Sequence, residues 1–402
     1  MAPYESDDST TAAGIDAPRA SRRKKAARYV VPVAVTGVAA VTIGLVPAIA
    51  DSGSPDLPEI SAQQLIQRIA ESDTERLSGT VKITTDLGLP NLGGLESGLL
   101  SGAATPGGDD GSGSAADPQT RLTELAAGTH TLRVAVDGPD KQKLSLLEDA
   151  AEYSVIHNGK DVWGYDSQSN EVYHSTSAEG AEAGQDVPAT PKDFAERALA
   201  AVDETTSVTV DGTAQVAGRD AYKLVVKPKQ SGSTVGQISI AVDSETYTPL
   251  KFTLTPASGG AAVVDAGFTQ VSFDPPAAST FDFTPPEGSK VTEESDLPAA
   301  EPQQPKSEED LAKGLDGLNV LGEGWNAIAV LDTGGQGIPS GTEAGGEFGG
   351  FLDSLGSQVS GKFGKGTVFE TRLINALITD DGKVYVGAVT QDALVKAADS
   401  GQ

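Results

Sequence analysis

Apolar residues in this chain form one uncharged block and then a series of short periodic runs. The block covers residues 29–50, reading YVVPVAVTGVAAVTIGLVPAIA, and follows a basic cluster of Arg22, Arg23, Lys24, Lys25 and Arg28. About 20 apolar residues suffice to cross the hydrocarbon core of a membrane, and a basic flank stays on the cytoplasmic side. Residues 1–28 are then expected to be a basic-ended cytoplasmic tail, with everything from Asp51 onward outside the cytoplasm. The same run reads equally as a signal sequence, because Ala48-Ile49-Ala50 is an A-x-A cleavage site before the polar Asp51-Ser52-Gly53. Anchor and cleaved signal both fit the pattern.

Beyond the block, the periods are those of folded elements. Ser61 and Gln64 form a capping-box pair, with Leu65, Ile66 and Ile69 on one face, so a short amphipathic helix is predicted to about Ser72. Residues 79–84 alternate like a half-buried strand. Residues 153–157 and 160–165 flank Asn158-Gly159, which predicts a hairpin with a two-residue type I′ turn. In that register Val155 faces Val162, Ser154 faces Trp163, and Trp163 shares a surface with Tyr165. Thr190 and Pro191 open a second helix as N-cap and first helical residue, with an apolar stripe of Phe194, Ala198, Leu199 and Val202. Residues 221–227, 237–242 and 250–254 then alternate, separated by turn residues at Gly218-Arg219-Asp220 and Asp243-Ser244. Serial strands with few helices predict one strongly curved antiparallel sheet.

Two stretches interrupt this regularity. Residues 88–118 are rich in Gly, Ser, Ala and Asp, the composition of a flexible insert. Within it Leu89, Leu92, Leu95 and Leu99 recur every three or four positions, as a mobile apolar lid or membrane-touching segment would, or as incidental leucines of a loose loop. Residues 292–306 are rich in Glu, Pro and Gln and read as a linker. A small α+β domain is expected over 307–402. It has a helix cap at Ser307 and Asp310, a strand over 325–331, a helix-like patch at Phe351, Leu352, Leu355 and Val359, a hairpin through Asp380-Asp381-Gly382, and a closing helix over 391–398.

Composition then removes whole classes of function. The chain has 402 residues with 57 Asp+Glu against 29 Lys+Arg, a formal net charge of -28, so binding to phosphate backbones is excluded as its business. It has no Cys, which rules out disulfides, zinc-thiolate sites and thiol nucleophiles. His130, His157 and His174 are separated in sequence and match no metal-ligand spacing; His157 beside the Asn158-Gly159 turn and His174 beside Tyr173 are expected to be exposed rather than catalytic. Gly361-Lys362-Phe363-Gly364-Lys365-Gly366-Thr367 lacks the spacing and the Ser or Thr of a phosphate loop and reads as a surface turn. No nucleophile, base and orienter set emerges, so a non-enzymatic protein without cofactor or metal is expected.

The order of the pieces resembles the LolA-like superfamily of periplasmic lipoprotein carriers, which also holds LolB, RseB-type stress regulators and mycobacterial lipid-carrier lipoproteins. The likeness spans roughly residues 60–291. It rests on the helix-then-strand opening of residues 61–84 and on Ile156-His157-Asn158-Gly159 through Trp163-Gly164-Tyr165-Asp166 to Glu171-Val172-Tyr173. Three further segments carry it: residues 216–224 (VAGRDAYKL), Ile240-Ala241-Val242-Asp243 with Thr248-Pro249-Leu250, and Phe281-Asp282-Phe283 with Pro286 and Gly288. The tether, the insert and the C-terminal extension depart from a simple carrier.

The resemblance implies an α+β fold, an incomplete antiparallel β-barrel over 51–291 that is covered by helices and encloses an apolar cavity. Its implied ligands are the acyl chains of a lipid or lipoprotein. Trp163, Tyr165, Tyr222, Leu224, Phe252 and Leu254 are the candidate lining residues, with the ordinary filled core as the competing reading. The alternative function is that of an RseB-like sensor, in which the half-barrel or the C-terminal domain binds another membrane protein. An acidic exported part would be repelled by anionic head groups, so contact with the cytoplasmic membrane's lipid is expected through an apolar opening.

Overall fold

The computed structural model describes residues 55–72, 74–88, 116–118, 125, 128–176, 190–294, 318–332 and 356–401. Their strands make two open sheets. The larger contains β1 (Arg76–Thr85), β2 (Gly128–Asp137), β3 (Lys141–Leu147), β4 (Glu152–Asn158), β5 (Asp161–Asp166), β6 (Glu171–Thr176), β7 (Thr206–Val216), β8 (Arg219–Pro228), β9 (Val235–Asp243), β10 (Pro249–Pro256), β11 (Val264–Ser272) and β12 (Lys290–Glu293). Their order is β12-β6-β5-β4-β3-β2-β1-β11-β10-β9-β8-β7. Two meanders joined by short turns explain it: β2 to β6 step away from one side of β1, and β7 to β11 return to its other side. Neighbours are antiparallel except β12, which adds to β6 in parallel. The sheet does not close into a barrel among the described residues, and the architecture is mostly β.

Two helices stand where the sequence predicts them. α1 (Ala62–Ala70) has the full capping box between Ser61 and Gln64, and α2 (Pro191–Ala200) has the equivalent box between Thr190 and Asp193 with proline in the first turn. Among the described residues no helix is long and apolar enough to cross a membrane, and residues 29–50 lie outside them.

Turn chemistry corrects two registers. In the β4–β5 hairpin Asn158 pairs with Asp161, so the two turn residues are Gly159 and Lys160, with Gly159 at φ 67°. A glycine of positive φ at the first central position suits a type II′ turn. The pairs are therefore His157 with Val162 and Ile156 with Trp163, two residues from the expected register. An even slip preserves the faces, so Trp163 and Tyr165 still share one. In the β7–β8 hairpin the turn residues are Ala217 (φ 52°) and Gly218 (φ 79°), which leaves Arg219 and Asp220 inside β8.

Residues 292 and 293, read as linker, end β12. The strand exists because Lys290 pairs with Glu171 at 3.0 Å and Glu293 reaches His174, tertiary contacts that local composition does not announce. The end of the insert is likewise not loose: Ala116 is fully buried and Leu125 nearly so, and the Tyr153 hydroxyl donates to the Ala116 carbonyl at 3.0 Å. Gly164 makes this approach possible, because a Cβ there would run into the Ala116 carbonyl oxygen. Gly164→Ala is expected to leave the fold intact but destabilise it by about 1–3 kcal/mol, checked by urea unfolding.

The smaller sheet contains β13 (Leu318–Leu321), β14 (Ile328–Asp332), β15 (Ser357–Gly361), β16 (Gly364–Phe369), β17 (Asn375–Thr379) and β18 (Lys383–Gly387), in the order β13-β14-β18-β17-β16-β15. Leu394 and Ala398 of α3 (Gln391–Ser400) pack with Tyr385, Leu377 and Val368. Trp325 is not in the expected strand but in a 3-10 turn, Gly324–Asn326, from which its indole N–H reaches Thr206 Oγ1 at 2.9 Å. Val359, expected to be helical, lies in β15; Phe351, Leu352, Leu355, Ser307 and Asp310 lie outside the described residues. The segment set aside as a phosphate loop is the β15–β16 hairpin.

Main-chain bonds join the two sheets. The Thr234 amide donates to the Ala388 carbonyl at 2.9 Å and the Thr390 amide to the Gly232 carbonyl at 2.8 Å. Arg372 clasps the end of β1, with its amide on the Leu87 carbonyl and its guanidinium on Asp86 at 2.6 Å and on the Ala261 carbonyl.

Candidate site on the two faces of the large sheet

Because side chains alternate along a strand, register alone decides which face each one occupies. Following the pairs from Ile83 through Ala266, Phe252 and Ile240 to Leu224 places these residues on one face, here termed inner. Val81, Leu132, Leu146 and Tyr153 continue that face toward β4. α1 and α2 cover its β8–β10 part, where Leu65, Ile69, Ala195 and Ala198 pack with Leu224, Ile240, Val242 and Phe252. Phe194 stacks on Phe252, with ring centroids 5.2 Å apart.

Four of the six candidate lining residues, Tyr222, Leu224, Phe252 and Leu254, lie in this helix-covered part, and Leu224 is fully buried. Trp163 and Tyr165 do not join them. Trp163 pairs with Ile156 and Tyr165 with Ser154, on the outer face. There they meet the chain that follows β11: Phe283 lies 5.5 Å from Trp163 and 5.7 Å from Tyr165, and Phe281 is wholly buried, its carbonyl bonded by Asn158 at 3.3 Å. The six therefore divide between two faces, a consequence of parity that strand assignment alone does not reveal. Leu89, Leu92, Leu95 and Leu99 lie outside the described residues.

The inner face over β1–β4 is apolar at its centre, with His130 toward one end of the strands and Gln142 and His157 toward the other. Val81, Ile83, Leu132, Val134, Leu144 and Leu146 form that centre, and Ala116 and Leu125 join the cluster from the chain between β1 and β2. The outer face is different in kind. A pocket of about 500 Å³ there has a mixed lining, with Ser78, Thr80, Arg133, Lys143, Ser145 and Gln270 beside Val134, Ala135 and Val271.

Electrostatic order concentrates at the β8–β10 turns. Asp243 is fully buried and takes two bonds from Arg219, at 2.8 and 2.9 Å, with further donations from the Thr246 amide and hydroxyl. Burial would raise its carboxyl, but the Arg219 and Thr246 bonds prevail and hold it below the ordinary range. Both residues stand inside segments that carry the family resemblance, yet a pair 24 positions apart leaves no local signal. Phe281 and Phe283 are another such segment, in which Phe283 meets Trp163 and Tyr165 and the Phe281 carbonyl takes the Asn158 bond.

The histidines also differ from expectation. His157 is 7% exposed on the inner face, its Nε2 2.8 Å from the Gly159 carbonyl and its Nδ1 without a partner. His174 is partly buried and touches two carboxylates. The slipped hairpin register and the unforeseen β12 account for both. Among the described residues no group of three His, Asp or Glu side chains is arranged to hold a metal ion.

The fold is thus an open antiparallel sheet with helices on its apolar face and a second, smaller sheet bonded to one end. No protein-family model and no curated protein sequence matches the chain. Solved structures to which it is similar include the MucA/MucB complex of Pseudomonas aeruginosa, at 16% identity over 84% of this chain and 96% of that one, TM-score 0.37. An uncharacterized conserved protein from Thermus thermophilus matches at 12% identity over 58% of this chain and 98% of that one, TM-score 0.31. A LolA superfamily protein from Nitrosomonas europaea matches at 11% identity over 56% and 99%, TM-score 0.22. Likeness at this level carries no inference about what the chain binds.

Proposed function

We propose that the chain is an extracytoplasmic, non-enzymatic protein that shields acyl chains of a lipid or lipoprotein on the inner face over β1–β4, held at or exported across the cytoplasmic membrane by residues 29–50. The observation that supports this reading is the apolar patch of Val81, Ile83, Leu132, Val134, Leu144 and Leu146 on the inner face over β1–β4, a cluster distinct from the one that packs beneath α1 and α2. An acyl chain would take the place now held by Ala116 and Leu125. Burying about ten methylenes contributes on the order of 8 kcal/mol, enough for capture near the micromolar scale.

The test is a photoactivatable fatty acid supplied to cells that make the full chain, with the labelled peptides mapped afterwards. Label is expected on peptides within 128–158, and Leu132→Asp should abolish it there while leaving the protein in the membrane fraction. Label confined to residues 29–50, or none, would overturn the proposal. The bonded second sheet supports a different reading, a regulator that docks a membrane protein; cross-linked protein partners without acyl label would favour it.

A further inference from the structure

His174 sits where three strands of the large sheet meet. β5 places Trp163 beside it as its cross-strand pair, and β12 places Glu293 beside it from the other side. The indole and imidazole rings stack, with centroids 3.8 Å apart and planes 16° from parallel. Nδ1 lies 2.6 Å from Glu293 Oε2, and Nε2 lies 3.0 Å from Asp161 Oδ1. Ionised carboxylates only accept, so both contacts are hydrogen bonds only when each ring nitrogen carries a proton. A neutral imidazole has one N–H, and the doubly bonded ring is therefore the imidazolium, the form that also gains from stacking on an indole face.

We infer that His174 is a proton-operated latch that holds β12 against the edge of β6. Loss of either proton turns a lone pair toward a carboxylate and converts a bond into a repulsion. Asp161 and Glu293 are 53% and 44% exposed, so the released carboxylates can turn to water. What then remains at β12 is a ladder of four residues, the Lys290 amide on the Asn170 carbonyl at 3.2 Å, the Lys290–Glu171 pair, and the bond between Tyr173 and Glu294, the residue after the strand. β12 is the last strand before the chain leaves the large sheet. Its release would leave the outer edge of β6 unpaired, the form in which a sheet accepts an extended peptide.

Other charged groups lie near this corner. Glu294 and Asp117 act on Tyr173, whose hydroxyl burial and these charges push up to about 12, and Lys160 lies in the turn before Asp161. For His174, burial works toward a lower pKa, but the bonds and charges of Asp161 and Glu293 outweigh it and raise the group above 6.5. A raised folded value means the latch contributes fully in acid, below 6.5, and is lost as pH rises through the folded value.

The test uses the full chain carrying Trp325→Phe. The chain has two tryptophans, so Trp163 becomes the sole emitter, and a protonated imidazole quenches a stacked indole. Fluorescence is followed from pH ~5 to ~9, with backbone amide protection at 290–293 corrected for intrinsic exchange. Emission should rise with a midpoint above 6.5, and protection should fall roughly tenfold across it. Glu293→Gln should lower the midpoint and remove the pH dependence of protection. Lys290→Met should loosen β12 without moving the midpoint. A midpoint at or below 6.5, unchanged protection across it, or an equal shift in Lys290→Met would overturn the latch.

Discussion

Arg219→Met is expected to destabilise the protein by about 3–5 kcal/mol, because it strands a buried carboxylate. Asp243 is fully buried, and Arg219 is its ionic partner through two parallel bonds. The Glu245 and Thr246 amides and the Thr246 hydroxyl would remain, which solvates the charge in part but does not neutralise it. Methionine keeps apolar bulk beside Phe273, while the cation–π contact of the guanidinium at 5.2 Å and its bond to Glu245 are lost with the charge. The double variant Arg219→Met, Asp243→Leu should recover most of the stability, since a buried ion pair replaced whole is often neutral. Chemical unfolding of the four proteins in a mutant cycle checks this, and equal losses in the single and double variants would sink it.

The same pair makes the stability depend on pH. Asp243 is held below its ordinary 3.8, so its contribution is fully present above that value and is lost as pH falls through the folded value. In Arg219→Met that acid transition should shift toward higher pH. A variant whose acid unfolding matches the parent would show that the Arg219 bonds are not what depress the carboxyl.

Leu224→Ala is expected to cost about 2–5 kcal/mol, the range for a large-to-small change in a packed core. Leu224 is fully buried and packs with Ile240, Val242 and Phe252 beneath α1 and α2. At roughly 2–4 °C per kcal/mol for a chain of this class, the melting midpoint should drop visibly. The experiment separates two meanings of one buried leucine. A wall of a ligand cavity loses little on truncation and changes ligand uptake; a core residue loses stability and leaves uptake alone. With acyl chains proposed over β1–β4, the second outcome is expected, and a change in uptake without loss of stability would move the proposed site under the helices.

The sequence carried most of the local structure. Ser61 with Gln64 and Thr190 with Pro191 start the two helices because side-chain caps and a fixed proline φ are properties of neighbouring residues. Alternation marked the strands of the β8–β10 meander for the same reason. It misplaced what depends on a turn's backbone handedness: Gly159 took the first central position of its turn, and Ala217 with Gly218 displaced Arg219 into β8.

By itself, then, the sequence determined an acidic chain with one apolar N-terminal block, serial antiparallel strands, two capped helices near their observed bounds, and no Cys chemistry. Tertiary structure alone decided the matters of partnership. It put Trp163 and Tyr165 on the outer face with Phe283, and Tyr222, Leu224, Phe252 and Leu254 on the inner one. It joined Arg219 to Asp243, and it closed His174 between Asp161 and Glu293 by adding a parallel strand from 119 positions away. Periodicity reports which side chains share a face of one element, but which elements adjoin is set by register and by long-range burial, and no short window of sequence contains either.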